Sequence, residues 1–217
     1  MCTASSECSD KSACVAGRCQ LEKASVKPAV DSARRLVVRP ADVGYTKTGE
    51  QLAAGTSPTV FVLGKDGGKL FLRFSVPILT NVNIVEAYVV LHRSSVVDDD
   101  PEPTVLHATR IVDGWSGGSI PWALQPRTTE TRLPSTTVEP GGSPLVRLDV
   151  RDVVRQWARR DPNDHGLAIA AENDSRSGTT FALSEGGSER LEREGNVGGR
   201  ASPPVTNLEP YLELYVR

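Results

Sequence analysis

Short hydrophobic stretches, separated by clusters of Gly, Pro, Asp and Asn, recur along most of this 217-residue chain. Stretches rich in Val, Leu, Ile and Phe predict strands, and no helices of the βαβ kind lie between them. The nine predicted strands cover residues 36–39, 59–63, 69–76, 84–92, 104–111, 143–148, 166–171, 179–184 and 211–216. The pattern therefore predicts an all-β fold, either a sandwich or a barrel.

Two of the predicted strands alternate clearly between apolar and other positions. Side chains at every second position of a strand share a face, so the alternation assigns an inward set. That set is Leu70, Leu72, Phe74, Ala87, Val89 and Leu91. The opposite faces then carry Phe71, Arg73, Tyr88, Val90 and His92.

One segment has a helical period instead. Apolar residues recur at i, i+3, i+4 and i+7, which predicts a single apolar stripe, and they are Val150, Val153, Val154 and Trp157. Asp149, with Asp152 three residues later, resembles a capping box, and the helix is predicted to end near Arg159 or Arg160. We expect a short lid whose tryptophan closes one end of the sandwich.

Composition and charge narrow the class of protein. The chain is 38% hydrophobic and 24% charged, which is ordinary for a globular protein. The net charge of −2, with both signs interspersed, gives no basic stripe for a nucleic acid partner. The longest apolar runs have the length of strands, so we predict no transmembrane segment.

All four cysteines lie in the first nineteen residues, as Cys2, Cys8, Cys14 and Cys19. A segment this short and polar cannot bury a core, so it needs covalent cross-links or a bound metal. The cysteine spacing lacks the CxxC pair of a zinc site, which favours two disulfides over a metal site or free thiols. Disulfides indicate an oxidising compartment, although four cysteines allow three pairings. Residues 1–20 are therefore predicted to be a disulfide module, and the polar residues 21–35 a linker. No apolar signal sequence follows Met1, so we expect a leader to have been removed, with lipidation of Cys2 as the less favoured alternative.

Three motifs suggest chemistry but match it incompletely. Residues 114–118 fit the G-x-S-x-G pattern of a nucleophile elbow, yet no helix is predicted to follow the serine. Asp161, Asn163, Gly166 and Glu172 fit positions of a calcium loop, but residues 167–171 look like a buried strand. The acidic residues of 98–102 fit a solvated hairpin tip better than a calcium site. We therefore predict no catalytic residue, no metal site and no cofactor, with structural calcium as the open alternative.

Six segments, taken in order, resemble DNRLRE domains, which are named for disaggregatase-related proteins and are similar to carbohydrate-binding modules. They read GGKLFLRFSVPILTNVNIVEAYVVLH, TRIVDGWSGGSIPW followed by QP, LDVRDVVRQW, PNDHGLAI, FALSE and PYLELYV. The resemblance covers residues 36–217 and implies a jelly-roll β-sandwich, non-catalytic and extracellular, with relatives that bind acidic polysaccharide such as alginate. It also implies a set of framework positions, Trp115, Trp122, Trp157, Asn163 and Gly166. The stretch 186–207 departs from the pattern, and the cysteine segment resembles small modules of myxobacterial surface proteins.

Two hypotheses for function follow. In the first, a non-catalytic module at the cell surface binds polysaccharide on one sandwich face, and the candidate ligand residues are Arg73, Tyr88, His92 and Arg110. In the alternative, the sandwich is a structural subunit or decoration of an extracellular assembly such as a filament, a coat or an injection-type particle, with protein neighbours or copies of itself as partners. Aromatic residues make up only 5% of the chain, which favours acidic glycans or proteins over neutral sugars.

Overall fold

The computed structural model describes residues 33–47, 60–64, 67–76, 83–94, 102–158, 165–172, 178–183 and 209–217, together with the backbone of 12–15 and 18–21. The strands are β1 (Ser12–Val15), β2 (Arg18–Leu21), β3 (Arg34–Val38), β4 (Pro40–Thr46), β5 (Val60–Leu63), β6 (Lys69–Phe74), β7 (Ile84–His92), β8 (Thr104–Ile111), β9 (Gly118–Ser119), β10 (Thr128–Arg132), β11 (Thr136–Val138), β12 (Leu145–Asp149), β13 (Leu167–Ala171), β14 (Thr179–Ala182) and β15 (Tyr211–Val216). The helices are α1 (Arg151–Ala158) and a 3-10 turn (Trp122–Leu124).

Two sheets form the body of the molecule. The seven-stranded sheet has the order β10-β8-β13-β6-β4-β9, with β11 also paired to β8. The four-stranded sheet has the order β12-β7-β15-β3, and the β5–β14 pair connects to the chain just after β7 through a bridge between Arg93 and Phe181. The pairings are antiparallel except for β4 with β9. One buried cluster takes side chains from both sheets, so the predicted all-β sandwich with one short helix is confirmed.

The predicted inward faces of β6 and β7 are confirmed. All six residues of the inward set belong to the core cluster between the sheets, where they meet Leu167 and Ile169 of β13 and Leu212 and Leu214 of β15. Phe71 and Tyr88 belong to separate clusters on the outer faces. Alternation therefore placed the residues named for these two strands on the correct side of the sheet.

Helix α1 covers one end of the core, as the helical period predicted. Val153 and Val154 are buried, and the Trp157 ring lies 6.3 Å from the Phe74 ring between centroids. The Asp149 carboxylate accepts a hydrogen bond from the Arg151 backbone N–H at 3.0 Å and so caps the first turn. The predicted end of the helix at residues 159–160 lies outside the described residues.

Several strands carry no clear sequence signal. β4 contains Pro, Asp and Gly, and β10 and β11 are mostly polar.

Near the N-terminus, β1 and β2 form an antiparallel hairpin in which the backbones of Cys14 and Cys19 lie opposite each other. Cys2 and Cys8 lie outside the described residues, so the predicted disulfides stay a prediction.

Candidate functional site

The segment 112–127 folds over the outer face of the seven-stranded sheet. It leaves β8, pairs through β9 with β4 beyond the intervening strands β13 and β6, and returns to β10 beside β8. Its two ends are held together by Asp113 and Arg127, whose carboxylate and guanidinium groups approach to 2.8 Å. Hydrogen bonding to Arg127 lowers the pKa of Asp113, so this clamp is present at neutral pH.

Trp115 anchors this segment to the sheet. Its indole N–H donates to the His165 backbone carbonyl at 2.7 Å, and its ring lies 6.0 Å from the Phe71 ring. Gly44 of β4 allows the close approach, since a Cβ atom there would lie 2.7 Å from the indole ring. The glycine that weakens the strand signal of β4 is therefore required by the packing.

Arg73 lies next to this anchor on the outer face. Its Nε donates to the Asp42 carboxylate at 2.8 Å, a second guanidinium nitrogen binds the same oxygen, and the guanidinium lies 5.7 Å from the Trp115 ring centre. Its side chain remains partly exposed. The charge of Arg73 is thus already compensated by Asp42, so this arginine is first a structural contact.

Lys69, Trp122 and Gln125 form a second, more open group on the same face. The Lys69 ammonium lies 5.5 Å from the centre of the Trp122 ring and donates to the Gln125 side-chain oxygen at 2.9 Å. Gln125 in turn donates to the Trp122 carbonyl at 2.9 Å. Trp122 is 39% exposed, which leaves part of its indole surface in contact with water. Partial burial lowers the pKa of Lys69.

A row of residues continues from Lys69 across the sheet. Lys69 of β6 lies opposite Ala170 of β13, and Ala170 lies opposite His107 of β8. Two strand spacings separate Lys69 from His107, which is about 10 Å between backbones. Arg132 of β10, paired in register with Thr109, lies on the same face beyond His107. Burial and the nearby Arg132 lower the pKa of His107, so the imidazole is neutral at pH 7.

We define the candidate patch as Lys69, Trp122, Gln125, His107 and Arg132. Ala170 lies at its centre, between Lys69 on β6 and His107 on β8. Because the alanine side chain is only a methyl group, the surface is shallow between the larger side chains. An exposed indole ring can pack on the C–H face of a sugar, and the amide can bond to hydroxyl groups. Ammonium and guanidinium groups form charge-assisted hydrogen bonds with carboxylates. The patch therefore combines the groups needed to bind a sugar that carries an acid.

The four ligand residues predicted from the sequence do not come together. Arg73 is on the outer face of the seven-stranded sheet, whereas Tyr88 and His92 lie on the outer face of the four-stranded sheet, 4% and 8% exposed. Arg110 shares the inward parity of β8 and donates to Gln156 of α1 at 2.6 Å. His92 and His107 lie on strands of different sheets, β7 and β8.

The outer face of the four-stranded sheet holds a buried ionic cluster instead. Glu213 accepts hydrogen bonds from Arg147 Nε at 3.0 Å and from the Tyr215 hydroxyl at 3.1 Å, and it pairs with Arg35. The Glu213 and Arg147 side chains are fully buried. Burial, reinforced by the charge of Glu213, raises the pKa of Tyr215 and of Tyr211 above the usual range.

The predicted framework residues fall into three groups. Trp115 and Trp157 pack on apolar neighbours, and Gly166 has φ of 107° with the Leu72 carbonyl directly against it. Trp122 differs from the expectation, because it is half-exposed in a 3-10 turn that has no buried residue. Asn163 lies outside the described residues.

The motifs that suggested chemistry have structural explanations where they are described. Residues 114–118 belong to the folded-back segment and lead into β9, and Leu167 and Ile169 of the apparent calcium loop are buried in β13. Asp161, Asn163 and residues 95–101 lie outside the described part of the chain. Among the described residues, no group of three His, Cys, Asp or Glu side chains is placed to hold a metal ion. Within the same ranges no helix has both the length and the apolar composition needed to cross a membrane.

Comparison with known families identifies the chain at the level of class and family. Residues 42–192 match a family of carbohydrate-binding modules, which are non-catalytic binding domains. More particularly, the chain belongs to carbohydrate-binding module family 96, whose model covers well over half of its length. No curated protein matches the chain.

Sequence reasoning named none of the five patch residues as a ligand residue. Lys69 has the same parity as Arg73 in β6, so alternation alone could have placed it on the outer face. Its position opposite Ala170, by contrast, depends on a pairing between strands about 100 residues apart in the sequence. The contact with Trp122 depends on the path of the 112–127 segment, which has no periodic signal.

Proposed function

We propose that this carbohydrate-binding module binds an acidic polysaccharide on the candidate patch. The observation that carries the proposal is the exposed Trp122 indole with the Lys69 ammonium 5.5 Å from its centre and the Gln125 amide in hydrogen-bond contact with that ammonium. This arrangement offers one sugar unit a stacking surface, a positive charge and a polar amide at once.

The charges around the patch favour an acidic over a neutral glycan. Lys69 and Arg132 contribute two cations on either side of Ala170, and one carboxylate, Glu172, lies 3.8 Å from Arg132. That pair is partly exposed, and its attraction is weakened by water. These three groups together therefore carry one net positive charge, although the chain as a whole has a net charge of −2. Arg73, on the same face, is the one earlier candidate whose position supports a contact with a longer chain.

Several finer statements belong to the same proposal. We infer a DNRLRE-type module in residues 36–217, following a disulfide module in residues 1–20 and a linker in 21–35, in a secreted or cell-surface protein. The opposed backbones of Cys14 and Cys19 in the β1–β2 hairpin support a stapled N-terminal module. Membership of a carbohydrate-binding family supports a polysaccharide partner and an extracellular location.

The proposal is tested by isothermal titration calorimetry with oligouronates and with neutral oligosaccharides of equal length. We expect the oligouronates to bind, and binding to weaken with added salt because the charges are near the surface. Trp122→Ala should reduce affinity for all bound glycans by more than tenfold, and Lys69→Met should reduce affinity mainly for the acidic ones.

Leu124→Ala provides a matched control. Leu124 lies in the same 3-10 turn, is 74% exposed and takes no part in the patch, so its removal should leave affinity unchanged. Equal binding by the wild type and the Trp122 variant would show that the patch is not the site. A chain that self-associates and binds none of the glycans would instead support the alternative role as an assembly subunit.

A further inference from the structure

The His107 side chain is buried and has an unpaired nitrogen, and neither feature is needed for the patch to stack on a sugar or to attract a carboxylate. It is 8% exposed, and its Nδ1 is buried without a hydrogen-bond partner among the described residues. Buried polar atoms are nearly always paired in folded proteins, so an unpaired one in a surface row calls for a reason. The ring lies in register with Ala170 and Lys69, on the face to which Trp122 is attached.

The charged groups around His107 come from three strands. Lys69 of β6 and Arg132 of β10 are cations, and among the described residues Glu172, directly after β13, is the carboxylate that acts on His107. β11, which also pairs with β8, contributes only Thr and Val. Two cations against one carboxylate oppose protonation of the imidazole, and burial opposes it further. The ring is thus held neutral by neighbours that would themselves bind an acidic ligand.

We propose that His107 is a specificity-determining residue of the glycan site, and that its protonation makes the binding of an acidic glycan tighter as the pH falls below neutrality. This inference rests on the proposed function of the candidate patch. A carboxylate held between Lys69 and Arg132 offsets the repulsion that keeps His107 neutral. The bound state therefore favours the imidazolium, which adds a third cation beside the acid group.

The sign and size of the effect follow from linkage. If the bound glycan raises the pKa of His107, the protonated protein binds more tightly, and the gain is lost as the pH rises through the pKa of the complex. Each unit by which binding raises the pKa gives about a tenfold increase in affinity at low pH. Carboxylates with ordinary pKa values near 4 remain charged down to about pH 5, so the ligand contributes little to the change between pH 5 and 7.5.

The test is a series of titrations of the full chain with a uronate hexamer at pH values from 5.0 to 7.5 and constant ionic strength. We expect wild-type affinity to rise severalfold to about tenfold toward pH 5. His107→Gln should bind with an affinity that is independent of pH. His165→Gln is the matched control, because His165 lies two residues before β13, at the end away from Glu172, and contacts Trp115 through its backbone. This variant should keep the wild-type pH dependence.

Nuclear magnetic resonance gives a second readout that needs no variant to fold. The His107 ring should titrate below its usual range in the free protein and at higher pH in the presence of the hexamer. Binding that is equally strong at all pH values, or an unchanged His107 titration in the complex, overturns the inference and leaves the proposed function intact. Absence of binding at every pH overturns both.

Discussion

The buried ion cluster of the four-stranded sheet gives the sharpest stability prediction. Glu213→Gln keeps the shape of the side chain but removes the negative charge between Arg35 and Arg147. Glu213 and Arg147 have no exposed side-chain surface, so water cannot replace the lost partner. The buried Arg147 guanidinium and the largely buried Arg35 guanidinium then lose the charge of Glu213.

The magnitude follows from what breaking a buried pair costs. Removal of one partner from such a pair destabilises proteins by about 3–5 kcal/mol, because the remaining charge stays buried. For a chain of this length each kcal/mol lowers the melting temperature by about 2–4 °C, so Glu213→Gln should lower it by about 10 °C. The assay is urea unfolding followed by tryptophan fluorescence, together with a calorimetric scan.

An exposed ion pair in the same molecule supplies the control. Asp152 lies 3.3 Å from Arg151 and 3.7 Å from Arg155 at the start of α1, and its side chain is 72% exposed. Asp152→Asn should therefore cost less than about 1 kcal/mol. A Glu213→Gln variant that unfolds at the same urea concentration as Asp152→Asn would refute the reasoning that burial makes the difference.

Two further predictions concern the tyrosines and one glycine. All four tyrosines have pKa values raised mainly by burial. The absorbance of tyrosinate should therefore not develop near pH 10 while the chain is folded. The stability of the fold should decline as the pH rises above about 10, because the tyrosines of the unfolded chain ionise there. An alkaline titration at 295 nm that shows four ordinary tyrosines would contradict this. Gly166→Ala should cost about 1–3 kcal/mol, because φ is 107° and a Cβ would collide with the Leu72 carbonyl. Gly118→Ala, with φ of 97° but open space, should cost less in the same urea assay.

The sequence predicted what depends on local periodicity. The alternation in β6 and β7 assigned their inward residues, and the i, i+3, i+4, i+7 pattern located α1. The sequence did not predict β4. Glycine is unfavourable in strands, yet Gly44 is required in β4 because Trp115 packs directly on it. Alternation along a strand indicates which face of the sheet a residue occupies. Whether that residue is buried depends on which other parts of the chain cover the face.

Tyr88 and His92 illustrate the limit of that reasoning. Alternation correctly placed them opposite the core residues of β7, and outward parity suggested contact with a ligand. The structure buries both, in a face built around Glu213 and its arginines. The candidate patch was missed for the complementary reason, because the alignment of Lys69, Ala170 and His107 comes from strand register over long sequence separations.

The outer faces of the two sheets differ, because one holds a buried ionic cluster and the other carries the proposed glycan site. On the four-stranded sheet, a carboxylate is enclosed by two arginines and by tyrosine, and a change there affects folding. On the seven-stranded sheet, Arg73 pairs with Asp42 and contacts Trp115 in the segment that carries Trp122, while Trp122 remains partly exposed to water. Substitutions in the candidate patch should therefore change glycan affinity with little effect on folding, whereas substitutions at Trp115 or Gly44 should move the patch itself.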